Sequence, residues 1–352
     1  MVKVLPCGAK AWDRGDLNPD CKLPKLVCWP SYTTVPLVRS LQKVKGFKLL
    51  YFCLLLKDRF GREVDNLRLA VTGRCNLACF FCHHEGYTPN ICSASKTIKE
   101  LSKEDIGRIV SVAAGHGISR VKLTGGEPLL RPDIGEIIQT VKGIRGINEV
   151  SMVTNGVFLE ENLKNLGGLN RMNVSIHTSR PAVYKKITGR GLHSKVLDGI
   201  RQSIAAGLPV KLNMTIIKGL NENEVPEMTA LAKELGADLQ VIEYHSQNFK
   251  ETLAPNIPHI EAWLEANSEK STELYDNRRR KFLVNGVWVT LVNPMFNKDF
   301  CNNCHRLRVT PDGSFKPCLL RQDNHVKFDP ASEACIDDAF VEAVRRREPF
   351  FK

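Results

Sequence analysis

The sequence predicts an α/β protein in which parallel strands alternate with helices. From residue 66 onward, six short runs rich in β-branched and other apolar residues are separated by longer stretches with helical periodicity. Such β/α units in series are typical of parallel strands joined by helices. Functional side chains are then expected at the carboxyl ends of the strands, where the loops gather.

The predicted strands are LRLAVT (67–72), RVKLT (120–124), EVSMVT (149–154), RMNVSI (171–176), PVKLNMTI (209–216) and LQVIEY (239–244). Helical patterns lie between them, and one of these patterns runs over 181–207. Ser102 with Asp105 predicts a helix N-cap with an acidic first turn. Helix ends are predicted at Gly115, Gly143 and Gly236.

The β/α pattern stops near residue 245, which suggests a division of the chain into three parts. A β/α domain is predicted over 57–245 and a smaller C-terminal region over 246–352, with a helix near 258–267 and a hairpin at Asn285-Gly286. The N-terminal extension over 1–56 contains five prolines and little periodicity. It is a disordered or zinc-binding extension or an artefact of the start site, and we draw no function from it.

The composition indicates an anionic partner. The 352 residues include 50 Lys and Arg against 38 Asp and Glu, a net charge of +12, which suits a phosphate ester, a nucleotide or a nucleic acid. The start lacks the apolar core of a signal peptide, and the longest early apolar run, LLYFCLLL, is too short for a bilayer that needs about 20 residues. We therefore expect a cytoplasmic protein with reduced thiols and no membrane contact.

Three closely spaced thiols follow the first predicted strand. The segment RCNLACFFC contains Cys75, Cys79 and Cys82. Thiolates select zinc or iron–sulfur clusters, and a structural zinc ion takes four protein ligands. Cys92, His83 and His84 could complete a zinc site. The alternative is a 4Fe–4S cluster with three protein ligands and one open iron.

A second group of three thiols lies near the C-terminus. The segment FCNNCHRLRVTPDGSFKPCLL contains Cys301, Cys304 and Cys318, and its TPDGS turn brings the third thiol back to the first pair. Zinc and iron–sulfur again remain open, because His305, His325 or Cys335 could supply a fourth ligand.

CxxxCxxC after the first strand and KLTGGEPLLR at the end of the second resemble the radical S-adenosylmethionine superfamily. This resemblance implies an incomplete (βα)6 barrel of the TIM type. It also implies a 4Fe–4S cluster on Cys75, Cys79 and Cys82, whose open iron binds S-adenosylmethionine. The residues implied to contact S-adenosylmethionine are Phe81, Gly125, Gly126, Glu127 and Ser175.

Further motifs narrow the resemblance. TNG, NVS, a lysine–glycine pair after the fifth strand and CxxCxRxR occur in the order found in the GTP 3′,8-cyclases of molybdenum cofactor biosynthesis, over about residues 57 to 330. That family carries a second 4Fe–4S cluster, here implied on Cys301, Cys304 and Cys318, whose open iron binds the purine of GTP. The implied GTP ligands are Arg68, Lys122, Thr154, Lys218, Arg306, Leu307 and Arg308.

The implied activity is radical cyclisation of GTP. Cleavage of S-adenosylmethionine yields a radical that abstracts hydrogen from C3′ of GTP, and C3′ then attacks C8. An external one-electron donor and a downstream cyclic pyranopterin monophosphate synthase are the implied partners, homodimerisation stays open, and no nucleic acid is expected. The alternatives are a related radical enzyme acting on a peptide or porphyrin, and a zinc-stabilised nucleic-acid-binding protein suggested by RRRK at 278–281.

Several positions depart from the bacterial pattern of that family. Lys122 replaces Arg, Val153 replaces Thr, Phe81 replaces Tyr and His245 replaces Met. His177 stands where Asp is usual, and we assign it no role. These departures bear on substrate identity more than on radical chemistry.

Overall fold

The computed structural model describes residues 3–4, 56–83, 99–245, 251–295 and 297–349. The strands in these ranges are β1 Lys3–Val4, β2 Asn66–Thr72, β3 Arg120–Gly125, β4 Glu149–Thr154, β5 Arg171–Ser175, β6 Val210–Ile216, β7 Asp238–Glu243, β8 Lys270–Glu273, β9 Arg280–Val284, β10 Val287–Val292, β11 Arg306–Val309, β12 Ser314–Lys316 and β13 Val326–Lys327. The α-helices are α1 Lys103–Gly115, α2 Ile134–Lys142, α3 Leu159–Asn162, α4 Pro181–Thr188, α5 His193–Ala205, α6 Val225–Leu235, α7 Ile257–Asn267, α8 Lys298–Asn302 and α9 Glu333–Arg345.

The strands of the described residues form one mixed sheet in the order β1-β13-β12-β11-β2-β3-β4-β5-β6-β7-β10-β9-β8. Strands β2 to β7 pair in sequence, and every one of these pairs is parallel. At the two edges of this series, β2 pairs with β11 and β7 pairs with β10. The predicted incomplete (βα)6 barrel is therefore confirmed, with its edges extended by C-terminal strands.

The C-terminal strands carry the predicted hairpin. β9 and β10 pair antiparallel, and the turn residues Asn285 and Gly286 have φ angles of 51° and 82°. Positive φ at both central residues is the geometry of the tight hairpin turn that Asn-Gly favours. The domain boundary near residue 245 stays a prediction, and the extension over 1–56 lies outside the described residues except for Lys3–Val4 and Leu56.

Helix termini follow the local sequence signals with one correction. Ser102 is the predicted N-cap of α1, and in the structure it forms a capping box with Asp105 of the acidic first turn. The helical stretch predicted over 181–207 is not continuous, because Gly189 adopts a left-handed φ of 76° and ends α4 before α5 begins. Within the described residues, no helix is long and apolar enough to span a membrane.

Alternation along the barrel strands separates an apolar layer from a polar interior. In β2, Leu67, Leu69 and Val71 are fully buried in the apolar core shared with α1 and α2. Arg68 and Lys122 occupy intervening positions, and they are register partners on β2 and β3. The helices therefore cover one face of the strands, whereas charged side chains share the barrel interior.

Candidate functional site

The first thiol group lies on the loop that follows β2. Cys75 and Cys82 are exposed and Cys79 is half-buried. Backbone N–H groups of Ala78 and Phe80 donate to the carbonyls of Thr188 and Ile187, at 3.0 and 3.4 Å, which ties the loop to the end of α4. Burial raises the pKa of the Cys79 thiol to about 12, and the nearby Cys82 and Cys75 thiols add to this shift. The three thiols are thus close enough to interact.

Two glycines at the end of β3 lie directly against this loop. Gly126 N–H donates to the Thr72 carbonyl at 2.8 Å, and Glu127 N–H donates to the Arg74 carbonyl at 2.7 Å. A Cβ atom built on Gly125 or Gly126 would lie 2.3 Å from the Thr72 oxygen or 2.1 Å from the Arg74 oxygen. Glycine is therefore required at both positions for the TGGEP segment to approach the thiol loop.

Glu127 joins this segment to the loop after β4. Its fully buried carboxylate accepts hydrogen bonds from Thr154 Oγ1 at 2.6 Å, from Asn155 N at 2.7 Å and from Leu129 N at 3.0 Å. Burial raises the pKa of Glu127 to about 7. Asn155 Nδ2 in turn donates to Asn76 Oδ1 at 2.8 Å and lies 3.9 Å from Cys75 Sγ. Glu127 thereby fixes the position of Asn155, which contacts the loop of the first thiol group.

Aromatic and imidazole rings continue from the thiol loop into the barrel. Phe81 contacts His177 edge-on, with ring centroids 5.1 Å apart. His177 has a φ of 66°, its Nδ1 accepts from Thr215 N at 3.2 Å, and burial lowers its pKa to about 4. His177 is therefore uncharged at neutral pH and supports the Phe81 ring. The rings of His83 and His245 lie 4.2 Å apart.

The second thiol group is formed by the end of α8 and the segment after β12. Cys304 N–H donates to the Cys301 carbonyl at 3.2 Å. Burial raises the pKa of the Cys301 thiol to about 11, and the Cys304 and Cys318 thiols contribute. Burial opposes ionisation of Cys304 as well, but Arg347 and Arg306 lower its pKa overall. The predicted gathering of these three thiols is thus found in the fold.

The thiol groups do not form single-ion sites within the described residues. No three His, Cys, Asp or Glu side chains converge there closely enough to hold one metal ion. Thiolates on one zinc ion must lie close together, since each Zn–S bond is about 2.3 Å. Cys92 and His84, which the zinc alternative invoked, lie outside the described residues. Three separate thiols per site fit the donor chemistry of an iron–sulfur cluster.

A cavity of about 800 Å³ occupies the barrel interior. Phe81, His83 and His245 contribute to its wall from the side of the first loop, and all three cysteines of the second group line it. Four acidic side chains also line it, Asp65, Glu243, Asp276 and Glu348. Ten basic side chains outnumber them: Arg62, Arg68, Arg120, Lys122, Arg171, Lys211, Arg279, Arg306, Arg308 and Arg347.

Lys122 is one of the cations that the sequence singled out. It is buried, and its Nζ donates to Asn173 Oδ1 at 3.2 Å. Asn173 and Gln240 both donate to Asn213 Oδ1, each at 3.1 Å, so that a polar network crosses four strands. Burial lowers the pKa of Lys122 well below its usual value, and Arg171 and Arg68 add to the shift. A buried ammonium in such surroundings favours an anionic ligand.

The structure brings some of the predicted GTP ligands together and leaves others apart. Arg68, Lys122, Arg306 and Arg308 line the cavity, and Arg308, Arg68 and Lys122 are register partners across three strands. The other three predicted GTP ligands, Thr154, Lys218 and Leu307, are not among the described lining residues. Thr154 donates to Glu127, Lys218 is exposed and Leu307 is fully buried in β11. Ser175, predicted to contact S-adenosylmethionine, is half-buried at the end of β5.

Sequence reasoning missed six lining cations, which are Arg62, Arg120, Arg171, Lys211, Arg279 and Arg347. Lys211 alternates with the buried Val210 and Leu212 in β6, so a period-two pattern could have indicated it. Arg279 belongs to the RRRK patch, which is not a continuous basic surface. Arg278, Arg279 and Arg280 pair with Glu273 at 2.8 Å, Asp276 at 3.0 Å and Glu261 at 2.9 Å. This pairing removes the main support for a nucleic-acid-binding surface.

Comparisons with known proteins agree with this architecture. Residues 69–232 match the model of the radical SAM superfamily, and residues 237–351 match the model described as Molybdenum Cofactor Synthesis C. The chain is 40% identical over 307 residues to the "Probable GTP 3′,8-cyclase" of Methanocaldococcus jannaschii, covering 84% of this chain and 99% of that protein. It is 42% identical over 316 residues to the protein of the same name from Thermococcus kodakarensis, covering 85% and 100%.

Among solved structures, native anSMEcpe with bound AdoMet matches the fold with a TM-score of 0.53 at 15% identity, covering 81% of each chain. The barrel and its thiol loop define a radical S-adenosylmethionine enzyme. Within that superfamily, the chain belongs to the GTP 3′,8-cyclase family. Two 4Fe–4S clusters and S-adenosylmethionine are the cofactors of this family, which confirms the predicted cofactors.

Replacing Gly126 by Ala should destabilise the thiol loop. The added Cβ meets the Arg74 carbonyl oxygen at 2.1 Å, so the backbone must shift. We expect the apoprotein to lose at least about 2 kcal/mol of unfolding free energy in urea. Gly115→Ala is the matched control, because no atom lies within 4 Å of its added Cβ. Equal stability of the two variants would contradict this account.

Glu127→Gln should change the pH dependence of stability. The folded pKa of about 7 exceeds the usual value of 4.5, so the carboxyl contributes stability at low pH that is lost as the pH rises through about 7. The variant lacks this titration, and we expect it to gain stability relative to the wild-type apoprotein between pH 5 and pH 8. Urea unfolding at both pH values gives the difference in unfolding free energy between the variant and the wild type, and we expect this difference to change by more than about 1 kcal/mol. A stability difference from the wild type that is the same at pH 5 and pH 8, as we expect for the exposed Glu104→Gln control, would refute the raised pKa of Glu127.

Proposed function

We propose that this protein is a GTP 3′,8-cyclase, which converts GTP to (8S)-3′,8-cyclo-7,8-dihydroguanosine 5′-triphosphate in the first step of molybdopterin biosynthesis. The observation that carries the proposal is the cavity of about 800 Å³, whose wall combines a cation-rich interior with the thiols of Cys301, Cys304 and Cys318. A nucleoside triphosphate has a strongly anionic end and a nitrogen-rich base. The cavity offers a surface for the first and a soft-metal site for the second.

We assign the triphosphate to the row of cations formed by Arg308, Arg68 and Lys122. These side chains lie on adjacent strands, and Lys122 is buried. Phosphate oxygens would compensate the burial of these charges, and the planar guanidinium groups can donate two hydrogen bonds to one phosphate. Lys211 and Arg171 extend the same surface. Thr154, Lys218 and Leu307 stay predictions of the family resemblance.

We assign the first cluster to Cys75, Cys79 and Cys82, and S-adenosylmethionine to the open position beside it. A cluster bound there would supply one electron for cleavage of S-adenosylmethionine into methionine and the hydrogen-abstracting 5′-deoxyadenosyl radical. Gly125 and Gly126 allow the backbone to approach the methionine end of the cofactor, and Ser175 can hydrogen-bond to it. Phe81, supported by His177, would pack against it.

The barrel residues would then orient the substrate and exclude water. The cation row holds the phosphate end of the nucleotide, and Arg306 lies next to the second thiol group in the cavity wall. A nucleotide held at both ends presents its ribose between the two thiol groups. The surrounding protein shields this position from bulk water, which protects a reactive carbon from side reactions.

The remaining partners follow from this chemistry. We propose an external one-electron donor, a downstream cyclic pyranopterin monophosphate synthase and no nucleic-acid partner, and we leave homodimerisation open. We propose a cytoplasmic location, because thiols that ligate iron–sulfur clusters must stay reduced.

Product analysis tests the proposed activity. Anaerobically reconstituted protein with S-adenosylmethionine, dithionite and GTP should form 5′-deoxyadenosine and the cyclised nucleotide in equal amounts, measured by mass spectrometry. Replacing Cys75, Cys79 and Cys82 by Ala should abolish both products. Replacing Cys301, Cys304 and Cys318 by Ala should abolish the cyclised nucleotide alone. Formation of 5′-deoxyadenosine without any change in GTP would overturn the assignment of the substrate.

Neutralising Lys122 should weaken GTP binding. Lys122→Met keeps the apolar stem but removes the buried charge, and we expect the KM for GTP to rise at least about tenfold, which corresponds to about 1.4 kcal/mol. The exposed Lys233→Met is the matched control and should stay within about twofold. Lys218→Met tests the ligand predicted from the family resemblance. A KM unchanged in Lys122→Met would remove Lys122 from the phosphate site.

A further inference from the structure

A buried ion triad lies beside the second thiol group. Arg62 Nε donates to Asp58 Oδ2 at 2.7 Å, and Arg347 Nη1 forms an ion pair with the same oxygen at 3.0 Å. The side chains of Asp58 and Arg347 are 0% and 2% exposed. The other carboxylate oxygen, Asp58 Oδ1, accepts from the backbone N–H groups of Phe60 and Arg62 at 2.9 and 3.0 Å. The triad is thus a buried ion network, whose two arginines also line the cavity.

The remaining donors of this triad reach the backbone of the thiol segment. Arg62 Nη1 donates to the Cys301 carbonyl at 2.9 Å, and Arg347 Nη2 donates to the Cys304 carbonyl. Arg62 Nη2 also donates to the Glu348 carbonyl at 2.9 Å. Asp58 and its two arginines therefore join the segment before β2, the second thiol group and the segment after α9.

The triad carries an excess of positive charge. Two guanidinium groups share one carboxylate, which leaves one uncompensated positive charge in a buried position. Such a charge is costly unless an anion lies nearby. Three thiolates around a 4Fe–4S core have a net negative charge, which grows when the cluster is reduced. The triad and a loaded cluster are therefore electrostatically complementary.

We propose that Asp58, Arg62 and Arg347 are positioning residues of the second cluster, which hold the Cys301 and Cys304 carbonyls and whose excess positive charge stabilises the reduced cluster. This inference rests on the proposed second cluster. Removing one arginine should make reduction harder, whereas removing the carboxylate should make it easier. A triad that only supported the fold could not produce shifts of opposite sign.

The test is a redox titration of full-length protein in which Cys75, Cys79 and Cys82 are replaced by Ala, so that only the second cluster is present. Its midpoint potential, followed by electron paramagnetic resonance, should become more negative in Arg347→Met and more positive in Asp58→Asn. The double variant restores the net charge and should return close to the parent value. Arg345→Met, an exposed arginine of the same helix end that pairs with Glu342 at 3.4 Å, should leave the potential unchanged.

The remaining outcomes are also decisive. Shifts of the same sign in Arg347→Met and Asp58→Asn, or shifts no larger than in Arg345→Met, would overturn the inference while leaving the proposed function intact. Absence of iron at the second site in the parent would overturn the proposed function itself. Where Arg347→Met loses iron, Arg347→Lys, which keeps the charge, should recover iron and the parent potential. If Arg347→Lys does not recover the midpoint potential of the parent, the positive charge of the triad does not stabilise the reduced cluster.

Discussion

Alternation of side chains along six parallel strands is the constraint on which the site depends. Because β2 to β7 pair in register, every second residue points away from the helical layer and into a shared interior. Most parallel strands are apolar on both faces. Here Arg68, Lys122, Asn173 and Asn213 occupy the interior face, and the core against α1 and α2 must supply the stability that this face does not.

The polar interior and the two thiol groups that flank it together form the candidate site. Burial raises the pKa of the Cys79 and Cys301 thiols to about 12 and about 11, so these two thiols need a cationic partner to ionise, whereas Arg347 and Arg306 already favour the thiolate of Cys304. Iron provides that partner, and three thiols per site leave room for a small molecule. The same electrostatic argument applies to the buried cations, for which the proposed triphosphate would provide the compensating charge.

Local signals predicted much of this arrangement. The strand Glu149–Thr154 has the predicted bounds, and the Asn285-Gly286 hairpin and the Ser102 N-cap form as expected. Arg68 and Lys122 could be placed in the interior because each lies in an apolar strand. Only the structure explains why the TGGEP segment requires glycine, because it shows the close approach of Gly126 to the Arg74 carbonyl.

Long-range contacts could not be read from the sequence. Asp58 and Arg347 are separated by most of the chain, and no local pattern marks either of them as a buried partner of the other. The roles of Arg171 and Lys211 depend on strand register, and the split between α4 and α5 depends on a single left-handed glycine. The GTP contact of Thr154 stays a prediction of the family resemblance, and the hydrogen bond from its hydroxyl to Glu127 on a neighbouring loop is visible only in the structure.

The central claim is that a small molecule completes the coordination of each three-thiol cluster. Electron paramagnetic resonance of two reduced proteins, each retaining one cluster, tests this claim most directly. The spectrum of the cluster on Cys75, Cys79 and Cys82 should change with S-adenosylmethionine and not with GTP, whereas the cluster on Cys301, Cys304 and Cys318 should respond to GTP alone. Spectra that stay unchanged at saturating ligand would contradict the account.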